Sequence, residues 1–296
     1  MQLSIKDLKQ IFTINSKSPA ADESANLSLC IGESYLSYAI SGFPGNELYQ
    51  LEYCSGEEGD GKFLSELFNS QNIFQHSFNK VFVSFDYPQN LLIPDQFQQH
   101  TELLLKKNLG MISGRKIISD SFDELNMINV YAVPIDVLGQ IEQKFPFFSG
   151  SHFFTNSIEN YIHSVYSMIK KDSESSMLID FKSNIFSVTL MQGKNILLAQ
   201  SYFYSSPKDV IFRLLKIVNH FSQSRDNISV KVSGLIEEDS ALFGELFQYF
   251  RNLAFRDAID WRDSISEKSE YHSHYFTSLN DLVRCASLRE NMAAEK

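Results

Sequence analysis

The sequence predicts an α/β protein built from two copies of one unit, each running β-β-β-α-β-α-β. Three observations predict it. An order of three strands, a helix and a fourth strand starts at Leu27 and returns in the second half of the chain. The first strands open at about residues 27 and 176 and the fourth strands at about 80 and 228, so the two offsets, 149 and 148 residues, agree. Finally, Lys80–Phe85 (KVFVSF) is a compact β-branched and aromatic run of the kind covered on both faces, and Ile228–Val232 is a second short apolar run at the matching place.

In the first copy the strands are Leu27–Ile31, Tyr35–Ile40 and Glu47–Cys54, joined by turns at Gly32–Ser34 and Gly42–Asn46. Glycine at these turns supplies positive φ, and Pro44 presets φ near −65°. A helix follows, with Asp60 placed to cap it and Phe63, Leu64, Leu67 and Phe68 on one face. After the fourth strand come a helix over Pro94–Lys107, a hairpin over Arg115–Ala132 and helices over Ile135–Phe145 and Asn156–Ile169. The second copy has strands Met177–Asp180, Ile185–Met191 and Asn195–Tyr204. Its helix starts at Pro207, which is suited to a first helical position because its missing N–H has no partner there anyway. A helix at Ser240–Asn252 and a strand at Ala254–Ile259 complete it. The tail, Tyr271–Glu290, reads as an extended piece and then a helix with Leu279, Leu282, Val283 and Ala286 inward. The polar stretch Lys170–Ser176 marks the boundary, giving one lobe over 1–172, with an insertion at about 87–127, and another over 173–296 that carries the C-terminal helix.

Composition narrows the function classes. The chain has 296 residues, 43% hydrophobic and 13% aromatic, which is a globular balance. Its net charge of −10 disfavours a nucleic-acid partner, which calls for a basic face to displace counterions. No apolar run approaches the roughly 20 residues that span a bilayer, and Met1–Asn15 carries charges where a secretory apolar region would lie. Three cysteines without a CxxC pair fit a reducing, cytoplasmic setting.

Three meandering strands and two αβ crossovers make a mixed five-stranded sheet of the ribonuclease-H-like layout, and two tandem copies make an actin-like ATPase architecture with a cleft between lobes. Here the chain resembles an uncharacterised bacterial family of single-chain proteins with that fold. The stretches that carry the resemblance are Phe85–Phe97 (FDYPQNLLIPDQF) and Tyr271–Ala286 (YHSHYFTSLNDLVRCA), neither of which has a known chemistry. The architecture is also similar to the cytoplasmic actin-like proteins of type IV pilus and type II secretion assemblies, which work partly as docking platforms. The resemblance implies a protein partner; fold alone does not confer function.

Active members of that superfamily hold an Asp-x-Gly turn between the first two strands of each lobe. Asp organises Mg²⁺ and its waters, while Gly lets backbone N–H groups approach phosphate oxygens. In this chain the two requirements are split. The first turn keeps Gly32 but has Cys30 at the acidic place and Glu33 beside it. The second keeps Asp180 but has Lys182 at the glycine place, followed by Ser183. The loop after the second fourth strand keeps one glycine, Gly234, followed by Glu237, Glu238 and Asp239, which disfavour a polyphosphate. A degenerate, non-hydrolysing member with no catalytic residues is therefore expected. Its candidate ligand-binding residues at the interlobe cleft are Gly32, Asp180, Lys182, Ser183, Gly234 and Glu237, and ATP with Mg²⁺ is not favoured. The rival reading is a Mg-ATP-dependent ATPase or phosphotransferase with an unusual site using Asp180, Lys182, Gly234 and Glu237.

Other motifs weigh less. Gly56–Lys62 (GEEGDGK) fits GxxxxGK, but Phe63 replaces the Mg²⁺-binding hydroxyl and three acids crowd the loop, so it reads as a turn. His272 and His274 on one face of a strand offer half a zinc site without a third ligand, and solvated histidines are the simpler reading. Asp86 stands where ribonuclease-H-type nucleases keep one acid, but Cys30 takes the partner's place. Lys106, Lys107, Arg115 and Lys116 read as a solvated basic surface.

Overall fold

The computed structural model describes residues 9–15, 24–42, 47–55, 62–110, 113–122, 125–165 and 174–294. The first sheet is built from β1 (Lys9–Asn15), β2 (Asn26–Gly32), β3 (Tyr35–Ser41), β4 (Leu48–Ser55), β5 (Lys80–Asp86) and β9 (Ser149–His152), in the order β1-β4-β3-β2-β5-β9. The pairs among β1, β4, β3 and β2 are antiparallel, whereas β2–β5 and β5–β9 are parallel. Every residue of β2 is buried, as its alternating Leu27, Leu29 and Ile31 demand for a central strand covered on both faces.

α1 (Lys62–Ser70) and α3 (Ile135–Lys144) cover that sheet. Leu64, Leu67 and Phe68 of α1 and Val137, Leu138 and Ile141 of α3 recur at helical spacing and join Leu27, Leu29 and Ile31 in one core. Between β5 and α3 the chain inserts β6 (Asn90–Pro94), α2 (Thr101–Leu109), β7 (Arg115–Phe122) and β8 (Met127–Pro134). These form a separate three-stranded sheet, β6-β8-β7, around Ile93, Leu105, Ile128, Val130 and Ala132. α4 (Phe153–Val165) follows β9.

The second sheet contains β10 (Ser175–Phe181), β11 (Ile185–Gln192), β12 (Asn195–Phe203), β13 (Ser229–Gly234) and β14 (Asn252–Phe255), in the order β12-β11-β10-β13-β14. β10, β13 and β14 run parallel, and the hairpins on the other side are antiparallel. The connectivity is that of β4-β3-β2-β5-β9 in the first sheet. α5 (Pro207–His220) and α6 (Ala241–Tyr249) supply the crossovers. α5 begins with a capping box: Ser206 Oγ accepts from Asp209 N–H, the Asp209 carboxylate accepts from Ser206 N–H at 2.9 Å, and Pro207 opens the helix. α7 (Arg262–Lys268) and α8 (Thr277–Ala294) end the chain.

The chain divides into two compact units. One holds Met1–Ser157, Ile259–His272 and Ser278–Lys296; the other holds Ile158–Ala258 and Ser273–Thr277. Within the first, Leu279, Leu282, Val283 and Ala286 of α8 are buried, and Cys285 Sγ donates to the Asn156 carbonyl at 3.2 Å.

Several local expectations need correction. The helix expected over Pro94–Lys107 starts only at Thr101; Pro94 ends a strand, and a 3₁₀ turn over Asp95–His100 intervenes. The extended piece of the tail is a 3₁₀ turn over Ser273–Phe276. Ser175 and Ser176, assigned to the boundary stretch, already belong to β10. β1 and β9 carried no strand expectation. β9 reads Ser-Gly-Ser-His, so its state is set by parallel pairing with Phe82–Phe85 and not by its own pattern. The loop 56–61 of the GxxxxGK match lies outside the described residues, and Lys62 is the first residue of α1.

Candidate functional site

The split phosphate turns sit at the carboxyl ends of β2 and β5 in the first unit and of β10 and β13 in the second, the ends where open α/β sheets present ligands. In the second unit, parallel pairing sets Asp180 beside Ser233 and Phe181 beside Gly234. Ser233 Oγ donates to Asp180 Oδ2 at 2.8 Å, and Lys182 Nζ donates to Asp180 Oδ1. Asp180 and Lys182 are both buried. Each carboxylate oxygen thus has a donor, which is what a buried ion pair requires to offset its desolvation. Backbone bonds hold the turn: Lys182 N–H donates to Ile185 O at 2.8 Å, and the Tyr204 hydroxyl donates to Lys182 O at 2.8 Å. Ser183 is exposed at its tip.

Gly234 has φ +80°, and a Cβ there would lie 2.1 Å from Phe181 O and 2.8 Å from Phe181 N. Its glycine is therefore demanded by the neighbouring strand: Leu235 N–H donates to that same Phe181 carbonyl at 2.8 Å. Beyond it, His274 lies buried and stacked on Phe255, with ring centroids 4.2 Å apart, and its Nε2 bonds Ile236 O at 2.8 Å. A carbonyl can only accept, so Nε2 carries the proton. The Tyr275 hydroxyl donates to Glu237 Oε1; burial, and then that carboxylate, push the phenol above its ordinary range. Gly234, Glu237, Asp180, Lys182 and Ser183 thus belong to the second unit and Gly32 to the first.

At the first turn, a Cβ on Gly32 would lie 2.3 Å from the Tyr35 ring. Tyr35 stacks on Tyr53 at 5.2 Å and donates to Asp86 Oδ2 at 2.5 Å. Burial first, and Asp86 next, raise the Tyr35 pKa well above the ordinary phenol value. Glu33 pairs with Arg115 of β7 at 3.3 Å, and the guanidinium lies 5.4 Å over the Tyr87 ring. Cys30 is buried and paired in register with Ser84.

The histidine half-site is corrected. His274 lies in a 3₁₀ turn and His272 just before it, neither on a strand; His272 is exposed, His274 is buried and bonded to the Ile236 carbonyl, and no metal-binding group of three ligands exists among the described residues. Of the basic cluster, Lys106 pairs with Glu102, Lys116 with Glu142 at 3.7 Å, and Arg115 with Glu33. A polar cluster gathers around the half-buried Asp120, which no motif in the sequence announces. Its carboxylate accepts from His152 N–H at 2.7 Å, Thr155 Oγ1 at 2.7 Å and Tyr131 hydroxyl at 3.1 Å, placing negative charge at the start of α4. His152 Nδ1 accepts from Phe154 N–H at 3.2 Å and Nε2 faces Tyr87 O at 3.0 Å, so the ring is neutral with its proton on Nε2. Burial pulls its pKa down to about 4. No sequence signal gathers these residues, which come from four separate strands and helices.

Solved structures similar to this one share its fold at low identity. A Bacteroides thetaiotaomicron protein with actin-like ATPase fold and unknown function is 14% identical at a TM-score of 0.70, over 90% of this chain and 97% of that one. A chain of the PilM–PilN type IV pilus biogenesis complex is 10% identical at a TM-score of 0.61, over 90% and 99%. The ethanolamine utilization protein EutJ from Carboxydothermus hydrogenoformans is 5% identical at a TM-score of 0.50, over 91% and 91%. No curated protein matches. No helix among the described residues is long and apolar enough to cross a membrane. Residues 14–253 match a family model described as protein of unknown function (DUF3822). The chain therefore belongs to that family, and its fold is the actin-like ATPase fold.

Proposed function

We propose that the protein is a degenerate actin-like member that acts by binding and does not turn over ATP. The observation that carries this reading is the pairing of Lys182 with Asp180. A nucleotide turn of this fold needs its Asp available to the waters of Mg²⁺ and a small residue where phosphate meets the backbone. Here the carboxylate is held by Lys182 and Ser233, and a long side chain occupies the glycine place. The first turn adds support, because Tyr35 takes up both the space beside Gly32 and the Asp86 carboxylate.

The shared strand order supports tandem duplication, with lobes over 1–172 and 173–296 and an insertion at about 87–127. Three buried cysteines, none in a disulfide, fit a cytoplasmic bacterial protein. The expected partner is a protein, by analogy with the neighbour solved as a complex of PilM with PilN. A ligand at the turns of the second unit would meet Asp180, Lys182, Ser183, Gly234 and Glu237, and one at the turn of the first unit would meet Gly32.

Retention of Asp180 and Gly234 favours the rival, a Mg-ATP-dependent ATPase or phosphotransferase. Titration calorimetry with Mg-ATP separates the two. The expected result is no heat at millimolar nucleotide from a folded sample. Micromolar binding that disappears in Asp180→Ala overturns the binding-only reading.

A further inference from the structure

A cavity of about 220 Å³ opens between α1 and α3, and every residue that lines it belongs to the first unit. Ser65, Phe68 and Asn69 line it from α1, and Gln140, Gln143 and Lys144 from α3. Both trios have the spacing i, i+3, i+4, which sets three side chains on one face of a helix. Leu64 and Leu67 of α1 and Val137, Leu138 and Ile141 of α3 turn into the core, so the seam between the helices falls to the polar neighbours of those apolar stripes. Phe68 supplies the apolar part of the wall, held edge-on by Phe74 at 5.0 Å and Phe145 at 5.6 Å.

Two groups of this wall have bonding capacity to spare. Gln140 Oε1 is buried and accepts no hydrogen bond among the described residues. A buried acceptor without a donor costs stability, and a ligand hydroxyl would offset that cost. Lys144 forms no ion pair among the described residues; of the three donors on its ammonium, one makes a long bond of 3.5 Å to Gln75 Oε1. Gln75 in turn donates to the Phe68 carbonyl at 2.9 Å, which ties the lysine to the α1 side of the cavity. The acids of the two helices, Glu66, Asp136 and Glu142, do not line it, and Glu142 pairs with Lys116.

The chemistry of the wall selects its occupant. One cation and no carboxylate disfavour metal ions and ammonium groups and favour an anion. The carboxamides of Asn69, Gln140 and Gln143 each donate and accept, as do the hydroxyl groups of a sugar. The Phe68 ring offers apolar surface to the C–H groups of such a ligand. The volume lies below the roughly 300–1,000 Å³ of pockets for drug-sized molecules, which leaves room for a single sugar ring and not for a nucleotide. We propose that this cavity binds an acidic monosaccharide, with its hydroxyls on Asn69, Gln140 and Gln143 and its carboxylate or phosphate on Lys144. This inference uses none of the phosphate-turn residues, so it and the binding-only reading can fail separately.

The test titrates the full chain in a calorimeter with glucuronate, glucose 6-phosphate, glucose and inorganic phosphate. At least one acidic sugar is expected to bind with a Kd of about 1 mM or tighter, and glucose and inorganic phosphate at least about tenfold more weakly. The tighter of the two acidic sugars names the anionic group. Lys144→Gln is expected to weaken binding about tenfold and to remove its dependence on salt. Gln140→Met is expected to weaken binding about tenfold while the urea midpoint of the free protein does not fall, since the unpartnered oxygen is gone. Three results overturn the proposal: no binding of either acidic sugar at about 10 mM, binding of glucose or inorganic phosphate as tight as theirs, or unchanged affinity in both variants when thermal melting shows them folded.

Discussion

Gly234 and Phe181 stand so close that the glycine hydrogen fills the place where a Cβ would come within 2.1 Å of the Phe181 carbonyl oxygen. At φ +80° the residue also holds a conformation that L side chains rarely adopt. Gly234→Ala combines both penalties, and a loss of roughly 2–5 kcal/mol is expected from strain and overpacking together. Urea unfolding followed by circular dichroism measures it. A loss below the lower bound would mean that the β10–β13 junction relaxes and that this glycine is free to serve a ligand.

The Asp180–Lys182 pair makes a second prediction. Lys182→Met leaves the buried Asp180 carboxylate to the Ser233 hydroxyl, and a destabilisation of about 3–5 kcal/mol is expected. Adding Asp180→Asn removes the uncompensated charge and should restore most of that loss. A double-mutant cycle reads the coupling directly, and additivity of the two substitutions would contradict a tight pair.

His152 makes stability depend on pH in a definite direction. Its folded pKa is about 4, below the value near 6.5 of an unfolded histidine, so the unfolded chain takes up the proton first. Its stabilisation is whole above pH 6.5 and fades as pH falls toward 4, by roughly 3 kcal/mol in all. Urea midpoints between pH 7.5 and 4 should slope accordingly in the native chain and flatten in His152→Gln. Parallel slopes in the two would assign the acid sensitivity to other groups.

Ser206 tests the start of α5. Its hydroxyl accepts from Asp209 N–H, and Ser206→Ala should cost about 1 kcal/mol, with Ser206→Asp recovering most of it. The same unfolding titration reports both.

Much of the scaffold was legible because its signals are local. The alternating Leu27, Leu29 and Ile31 of β2, the Ser206-Pro207 helix start and the leucines of α1 each announce their state within a few residues. β9 was not legible, since Ser149–His152 has no pattern of its own and owes its conformation to the neighbouring β5. The site followed the same division. Residue types at the phosphate turns showed that an acid and a glycine had been parted, but spacing cannot tell whether Lys182 points to solvent or back onto Asp180. Tyr35, Tyr204, Tyr275 and His274 were invisible for a related reason: their roles come from contacts across the sequence, 51 residues for Tyr35 with Asp86 and 38 for Tyr275 with Glu237. Asp120 reaches 35 residues to Thr155.

The return of the tail to the first unit has a consequence for biosynthesis. Residues 259–272 and 278–296 leave the ribosome only after the whole continuous stretch 158–258 of the other unit has been made. At elongation rates of about 20 residues per second, the nascent amino-terminal portion waits several seconds for α8, with the carbonyl of Asn156 still lacking the Cys285 thiol. The other unit waits too, because Ser273–Thr277 completes it, so both units reach their final contacts only once the tail has been made, and chaperone demand falls on the half that emerges first.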